Sequence, residues 1–240
     1  MHLKNMVITT DLVLKFFGLI PAPVFHNLGK AKALKLIFWH LAIDQVEGCY
    51  IEFGVASGNS MRSAEISERR SHSVSLGIKS ISRKLYGFDT FKNFSSDSEE
   101  DLHPSWEGEN FSVGLNRVQK RFKRDHDRIT FHALDASELN QELESSHKLN
   151  DYISEEAIAV VLFDMDLGSP TFHALEWVRP KLTDGSVVVF DEFLAYKGNP
   201  DLGESGAWIR FLQKYPEIRF RQLTTYGDGG IAFQLKISNL

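Results

Sequence analysis

The stretch Cys49-Tyr50-Ile51-Glu52-Phe53-Gly54-Val55-Ala56-Ser57-Gly58-Asn59-Ser60 decides how the rest of the chain is read. Cys49–Phe53 is a short apolar run carrying one acid, Gly54 and Gly58 punctuate a tight turn, and a polar helical stretch follows to about Arg70. Strand, glycine turn and helix in that order make half of a βαβ unit. Glycines there let backbone approach a ligand closely, and the start of the helix offers unsatisfied N–H groups. The spacing is not G-x-G-x-x-G, because Val55-Ala56-Ser57 separates the two glycines. An acid two residues before Gly54 further weakens a dinucleotide reading. The bland alternative is a tight strand–helix turn.

The pattern recurs along the chain. Strand-like runs stand at Leu85–Phe88, Ile129–Leu134, Ala157–Phe163 and Ser186–Phe190, with helical segments near 111–124, 137–145 and 170–182. Such alternation predicts an α/β fold, a parallel sheet with helices on both faces. Ala157–Phe163 is apolar throughout, as a strand buried on both faces should be. After a helix near 204–214, the runs Ile218–Thr224 and Gly230–Ile237 are joined only by a short turn around Tyr226-Gly227-Asp228-Gly229. That turn cannot hold a crossover helix, so the two runs form an antiparallel hairpin. Upstream, Leu34, Ile37, Phe38, Leu41 and Ala42 follow helical spacing between Lys32 and Val46, with Gly48 placed to end the helix. The expected organisation is an N-terminal helical extension over residues 1–47 and one domain over 48–240.

Composition narrows the function. The 240 residues hold 27 Lys+Arg and 32 Asp+Glu, a net charge of −5, which argues against a protein built to coat nucleic acid. Hydrophobic residues at 42% are enough for a sizeable core. The lone Cys49 excludes a disulfide within the chain and a thiolate metal cluster, and suits a reducing compartment. Residues 1–40 carry five lysines, Lys30 among them, against one acid, Asp11. Their charge-free stretch from Phe16 to Gly29 has 14 residues and two prolines, short of the roughly 20 that span a bilayer. With no small-residue cleavage pattern after it, the expectation is a cytoplasmic protein with no membrane partner. The apolar N-terminus could cover a partner subunit in a homo-oligomer or the site itself.

Four acids fall at or near the carboxyl ends of core strands: Glu52, Asp89, Asp164 and Asp191. Ligands of open α/β sheets sit outside those ends. Asp89 closes Tyr86-Gly87-Phe88-Asp89, where an acid commonly bonds ribose hydroxyls; taken alone it reads rather as a loop cap, and it lies 35 positions beyond Gly54 against roughly 20 in the usual dinucleotide unit. Asp164-Met165-Asp166 follows an apolar strand and invites comparison with phosphatases of the haloacid dehalogenase class, where the first acid is a nucleophile. Leu167-Gly168 stands where Gly-Thr is expected there, and the motif lies far from the chain's start. Asp164, Asp191 and Glu192 together offer hard oxygen ligands suited to Mg²⁺; the bland reading is loop and helix capping. The polar segment from Lys92 to Asn110 reads as a long loop, either a lid over a site or a solvated surface loop. The basic cluster Arg117, Lys120, Arg121, Lys123, Arg124 and Arg128 reads as a solvated helix face, and His173 as a structural histidine.

Taken in order, these motifs resemble the class I S-adenosylmethionine-dependent methyltransferases, and more narrowly the macrocin O-methyltransferase family. Glu52, Gly54, Gly58 and Ser60 match its E-x-G-x-x-x-G-x-S. Asp89, Thr90 and Phe91 match a strand-ending D-[ST]-F. Asp164, Asp166, Pro170 and Thr171 match D-x-D followed by P-T, and Gly185, Val187, Val188, Val189, Asp191 and Glu192 match G-x-V-V-V-x-D-[DE]. The chain departs from the family pattern at Gly168, where tyrosine is usual, at Glu192, where a second aspartate is usual, and at Lys92-Asn93-Phe94-Ser95.

The resemblance implies a Rossmann-like fold with a mostly parallel seven-stranded sheet, its last strand antiparallel. It implies that Glu52, Gly54, Ser57, Gly58 and Ser60 surround the methionine part of S-adenosylmethionine, that Asp89 holds its ribose, and that Asp135 and Ala136 meet its adenine. Asp164, Asp191 and Glu192 would bind Mg²⁺ and Asp166 would be the general base. The expected reaction is methyl transfer to a hydroxyl of a small acceptor, a sugar or natural-product diol. The phosphatase reading and a catalytically inactive cofactor-binding partner protein remain as alternatives.

Overall fold

A computed structural model describes residues 13–72, 81–92, 113–139 and 148–237. Most of the expected covering loop over 92–110 lies outside these residues. The strands are β1 (Cys49–Phe53), β2 (Leu85–Asp89), β3 (Ile129–Ala133), β4 (Ile158–Phe163), β5 (Leu182–Phe190), β6 (Ile218–Tyr226) and β7 (Gly230–Ile237). They form one seven-stranded sheet in the order β3-β2-β1-β4-β5-β7-β6. β1 pairs in parallel with β2 and β4, β2 with β3, and β4 with β5; β7 alone runs antiparallel to its neighbours β5 and β6. The expected architecture is therefore present, with one refinement. The reversed strand does not finish the sheet, because the hairpin folds back and slots β7 between β5 and β6.

The longer helices are α1 (Ala22–Ile43), α2 (Asn59–His72), α3 (Leu115–Arg121), α4 (Leu149–Tyr152), α5 (Gly168–Val178) and α6 (Gly203–Lys214). α1 starts ten residues before the Lys32 boundary read from the sequence. Pro21 stands at its N-cap and Pro23 within its first turn, where a missing N–H costs nothing. The prolines open this helix. The helix expected near 137–145 is represented by a 3₁₀ turn over Ala136–Leu139, residues 140–147 lying outside the description.

Alternation along each strand splits the core into two layers. On one face Ile51, Phe53, Phe88, Val161, Phe163, Val188 and Phe190 pack with α5 and α6 through Leu175, Trp177, Trp208 and Phe211. On the other, Tyr50, Leu85, Val160, Leu162, Val187 and Val189 pack with α1 and α2 through Leu34, Ile37, Phe38, Leu41 and Met61. The N-terminal helix is thus a wall of the core. Gly29 makes this approach possible: a Cβ there would lie 2.7 Å from the backbone nitrogen of Gly227 in the β6–β7 turn. Among the described residues no helix is long and apolar enough to cross a membrane.

Register aligns the functional edge. Phe53 lies beside Phe163, and Phe163 beside Phe190, so Gly54, Asp164 and Asp191 emerge side by side. The ladder continues past the strands: Asp164 N–H donates to Phe53 O (3.0 Å) and Asp191 N–H to Phe163 O (3.1 Å). Phe53 anchors this alignment, stacked on Phe88 and Phe163 with centroids 5.2 and 5.5 Å away. Phe53→Ala is expected to cost about 3–5 kcal/mol and lower Tm by roughly 10 °C. Calorimetry giving a loss of less than about 1 kcal/mol would contradict the anchoring role.

Candidate functional site

The glycine loop after β1 is shaped by backbone crowding. Gly54 has φ +84°, and a Cβ on it would lie 1.8 Å from the carbonyl oxygen of Asp164. Only glycine allows β1 and β4 to deliver their loops this close together. Asp89 ties the loop down from β2: one carboxylate oxygen accepts Ala56 N–H (2.8 Å), the other Phe91 N–H (2.6 Å). Asp89 remains partly exposed, and each oxygen keeps a lone pair for a further donor. Arg121 clamps the loop from outside, donating to Ser57 O (2.6 Å) and Asn59 Oδ1 (2.8 Å). Arg121 is exposed, as expected of a solvated helix face, and adds this clamp from there. Ser60 and Gly58 are buried at the start of α2, and Ser57 is half-buried. At the end of β3, Asp135 Oδ1 accepts Ser137 N–H (2.9 Å) and Oγ–H (2.7 Å), and Ala136 is buried beside it.

Glu52 does not open onto this loop. Strand alternation turns it toward α1, where it is fully buried and accepts a hydrogen bond from Tyr50 OH at 2.7 Å. Burial outweighs that bond and pushes its carboxyl up to about 8.

The second half of the site is an acid cluster at the ends of β4 and β5. Asp164, Asp166 and Glu192 each bring one oxygen to within 4.8 Å of the others, and His26, Asp191 and Glu192 form an overlapping group. Glu204, at the start of α6, lies under them and accepts Glu192 N–H (2.9 Å). Asp166 holds φ +65°, the left-handed region that aspartate tolerates better than most residues. Its carbonyl accepts the Tyr196 hydroxyl at 3.2 Å.

Sequence reasoning missed what fills the centre of this cluster. Lys30 of α1 places Nζ 2.7 Å from Asp164 Oδ2 and 2.5 Å from Asp191 Oδ2, while only 5% exposed. One helical turn earlier, His26 Nε2 lies 3.0 and 3.1 Å from the two Asp191 oxygens. Tyr226 OH donates to Asp191 Oδ1 at 2.7 Å. A signal was present. Lys30, Ala33, Leu34, Ile37, Phe38 and Leu41 form one helical stripe, and reading it backwards puts a charge on the buried face with His26 above it.

Charge sorts the acids. Burial pushes against ionised Asp191, but the His26 hydrogen bond and the Lys30 charge outweigh it and hold this carboxyl well below its usual range. The Lys30 ammonium is correspondingly held above its ordinary value against the cost of burial, by Asp164 and Asp191. Asp164, desolvated and beside ionised Asp191, is pushed up. Asp166 rises to about 6 and Glu192 to about 12, both through burial first and the Asp191 charge second. Glu192 therefore keeps its proton at neutral pH while Asp166 is mostly ionised.

The Mg²⁺ set implied by the resemblance does not fit this arrangement. A cation shared by Asp164 and Asp191 would stand where the Lys30 ammonium stands, and both Asp191 oxygens already have donors.

The sequence profile of a family described as "Methyltransferase domain" matches residues 51–193, more than half of the chain. No curated protein matches the sequence. Solved structures share the fold. The calicheamicin methyltransferase CalS11 aligns with TM-score 0.60 and 23% identity over 85% of this chain and 77% of its own. The O-methyltransferase NovP aligns with TM-score 0.60 and 18% identity over 85% and 78%. The apo form of CalS11, described as a TDP-rhamnose 3′-O-methyltransferase, gives 0.55 and 22% over 85% and 77%.

Glu52 supplies a stability test. Its carboxyl titrates near 8 in the fold and at its ordinary 4.5 when unfolded, so stability present below 4.5 is lost as pH rises toward 8. Glu52→Gln, which keeps an acceptor for Tyr50, should therefore raise Tm at pH 8 and leave it unchanged near pH 4. An equal shift at both pH values in thermal melts would show that Glu52 is not held neutral.

Proposed function

From the premise that this chain belongs to the methyltransferase domain family and is an S-adenosylmethionine-dependent methyltransferase, we propose that it transfers the methyl group to a hydroxyl of a small natural-product acceptor, a sugar or a diol. The observation that carries this reading is Asp166. It stands at the carboxyl end of the sheet in a left-handed conformation, where burial first and the Asp191 charge second raise its pKa to about 6. A carboxylate with that value is a stronger base than an ordinary aspartate and is still ionised at neutral pH. Membership of the family replaces the phosphatase reading of Asp164 and Asp166.

S-adenosylmethionine, when bound, supplies an electrophilic methyl carbon on a sulfonium. The chain's own part begins with positioning. The Gly54–Ser60 loop offers backbone close to the cofactor, Asp89 its remaining acceptor capacity to the ribose, and Asp135 and Ala136 a ledge for the adenine. Alignment of acceptor oxygen and methyl carbon supplies much of the rate of an in-line displacement. Asp166 would take the acceptor's hydroxyl proton on a carboxylate oxygen while the methyl carbon–sulfur bond is exchanged for the new C–O bond, with S-adenosylhomocysteine as the leaving group. Glu192 keeps its own proton beside it, so the negative charge rests on Asp166. That CalS11 is named as acting on TDP-rhamnose, and shares this fold, supports a sugar hydroxyl as the acceptor.

The test is methyl transfer from isotopically labelled S-adenosylmethionine to a panel of nucleotide sugars and aromatic diols. Asp166→Asn should lower kcat by roughly 10²–10⁴-fold and leave the Kd for S-adenosylhomocysteine unchanged. In the wild type, kcat should fall tenfold per pH unit below about 6, because protonated Asp166 cannot accept the proton. Full turnover by Asp166→Asn would remove the base assignment. A folded protein that binds S-adenosylhomocysteine but methylates nothing on the panel would favour the inactive partner reading.

A further inference from the structure

We propose that Lys30 is the resident cation of this site: its ammonium takes the place of the divalent metal that the resemblance implies, and Asp164 and Asp191 bind no Mg²⁺. The inference rests on the methyl-transfer reading only for what the site is used for; the charge arrangement stands by itself.

Three observations carry it. The ammonium contacts both carboxylates, 2.7 and 2.5 Å from one oxygen of each. It cannot readily swing aside, because Lys30 is 5% exposed and rides on a helix fixed on both sides. Ala33 and Leu34 one turn further on, and Ile37 two turns on, are buried in the core, and Gly29 is pressed against the β6–β7 turn. Asp191 is also fully engaged: His26 Nε2 reaches both of its oxygens, Tyr226 OH one of them, and His26 Nδ1 pairs in turn with Asp228. His26 and Lys30, four residues apart on α1, grip Asp191 as a pair.

A divalent ion at Asp164 or Asp191 would face this ammonium at close range in a partly desolvated pocket, where like charges repel strongly. Unlike a metal, the lysine cannot dissociate, so its charge is present whenever α1 is docked. An ammonium has three N–H groups, and the two carboxylates take two of them. Lys30 is therefore a positioning residue. It fixes the acids around Asp166, and it makes assembly of the site depend on the N-terminal helix.

The experiment is a Mn²⁺ titration of the full chain followed by electron paramagnetic resonance, with S-adenosylhomocysteine binding measured calorimetrically on the same samples. Wild-type protein should show no Mn²⁺ site tighter than about 1 mM. Lys30→Gln, which removes the charge and keeps much of the length, should gain a site at least tenfold tighter that Asp164→Asn then abolishes. Micromolar Mn²⁺ binding by the wild type would overturn the proposal. So would a folded Lys30→Gln protein that gains no Mn²⁺ affinity. If Lys30→Gln does not fold, the wild-type titration alone decides. A wild-type protein that binds no S-adenosylhomocysteine would instead count against the methyl-transfer reading and leave the Mn²⁺ result standing.

Discussion

One ion-paired lysine holds together the part of this molecule that can do chemistry. Five carboxylates, Asp164, Asp166, Asp191, Glu192 and Glu204, crowd the carboxyl ends of two neighbouring strands and the start of a helix, and the Asp191 charge raises the cost of ionising the other four. Such a group is stable only if positive charge is supplied or if some members stay protonated. Both solutions are present. Lys30 and His26 gather the negative charge onto Asp191, and Glu192 and Glu204 are driven toward their neutral forms by burial and by that charge. Asp166 falls between these extremes, which suits the base role proposed for it.

The same lysine gives the N-terminal helix its place. α1 buries an apolar stripe against the sheet, but a stripe of Ala33, Leu34, Ile37, Phe38 and Leu41 would tolerate sliding and rotation better than it tolerates misplacing a buried ammonium. Gly29 and Gly227 permit the close approach, and Lys30 and His26 set its register against the strand ends. The helix is thus both core wall and a wall of the candidate site. This places His26 and Lys30, on one face of α1, beside the strand ends that carry Asp164 and Asp191.

Much of this was legible in the sequence. Alternating strands and helices gave the parallel sheet, and the short turn at Tyr226–Gly229 gave the reversed strand, because both follow from local pattern and chain length. The strand-end acids were legible too, since a charged residue directly after an apolar run has few other places to be. Three things were not. The insertion of β7 between β5 and β6 depends on long-range pairing that the hairpin alone does not dictate. The inward turn of Glu52 depends on which face of β1 the helix α1 covers. Lys30 was lost among the lysines of a basic N-terminus because net charge averages over positions. Only its place on the apolar stripe, four residues after His26, distinguishes it.

The acids at Asp164 and Asp191 and the cation between them are the centre of this account, and their occupant can be seen directly. Crystals of the wild-type protein with S-adenosylhomocysteine, soaked in Mn²⁺ and measured at a wavelength sensitive to manganese, would reveal it. The account predicts continuous lysine density from α1 between the two carboxylates and no anomalous peak there. A manganese peak bridging Asp164 and Asp191, with the Lys30 side chain displaced, would contradict it.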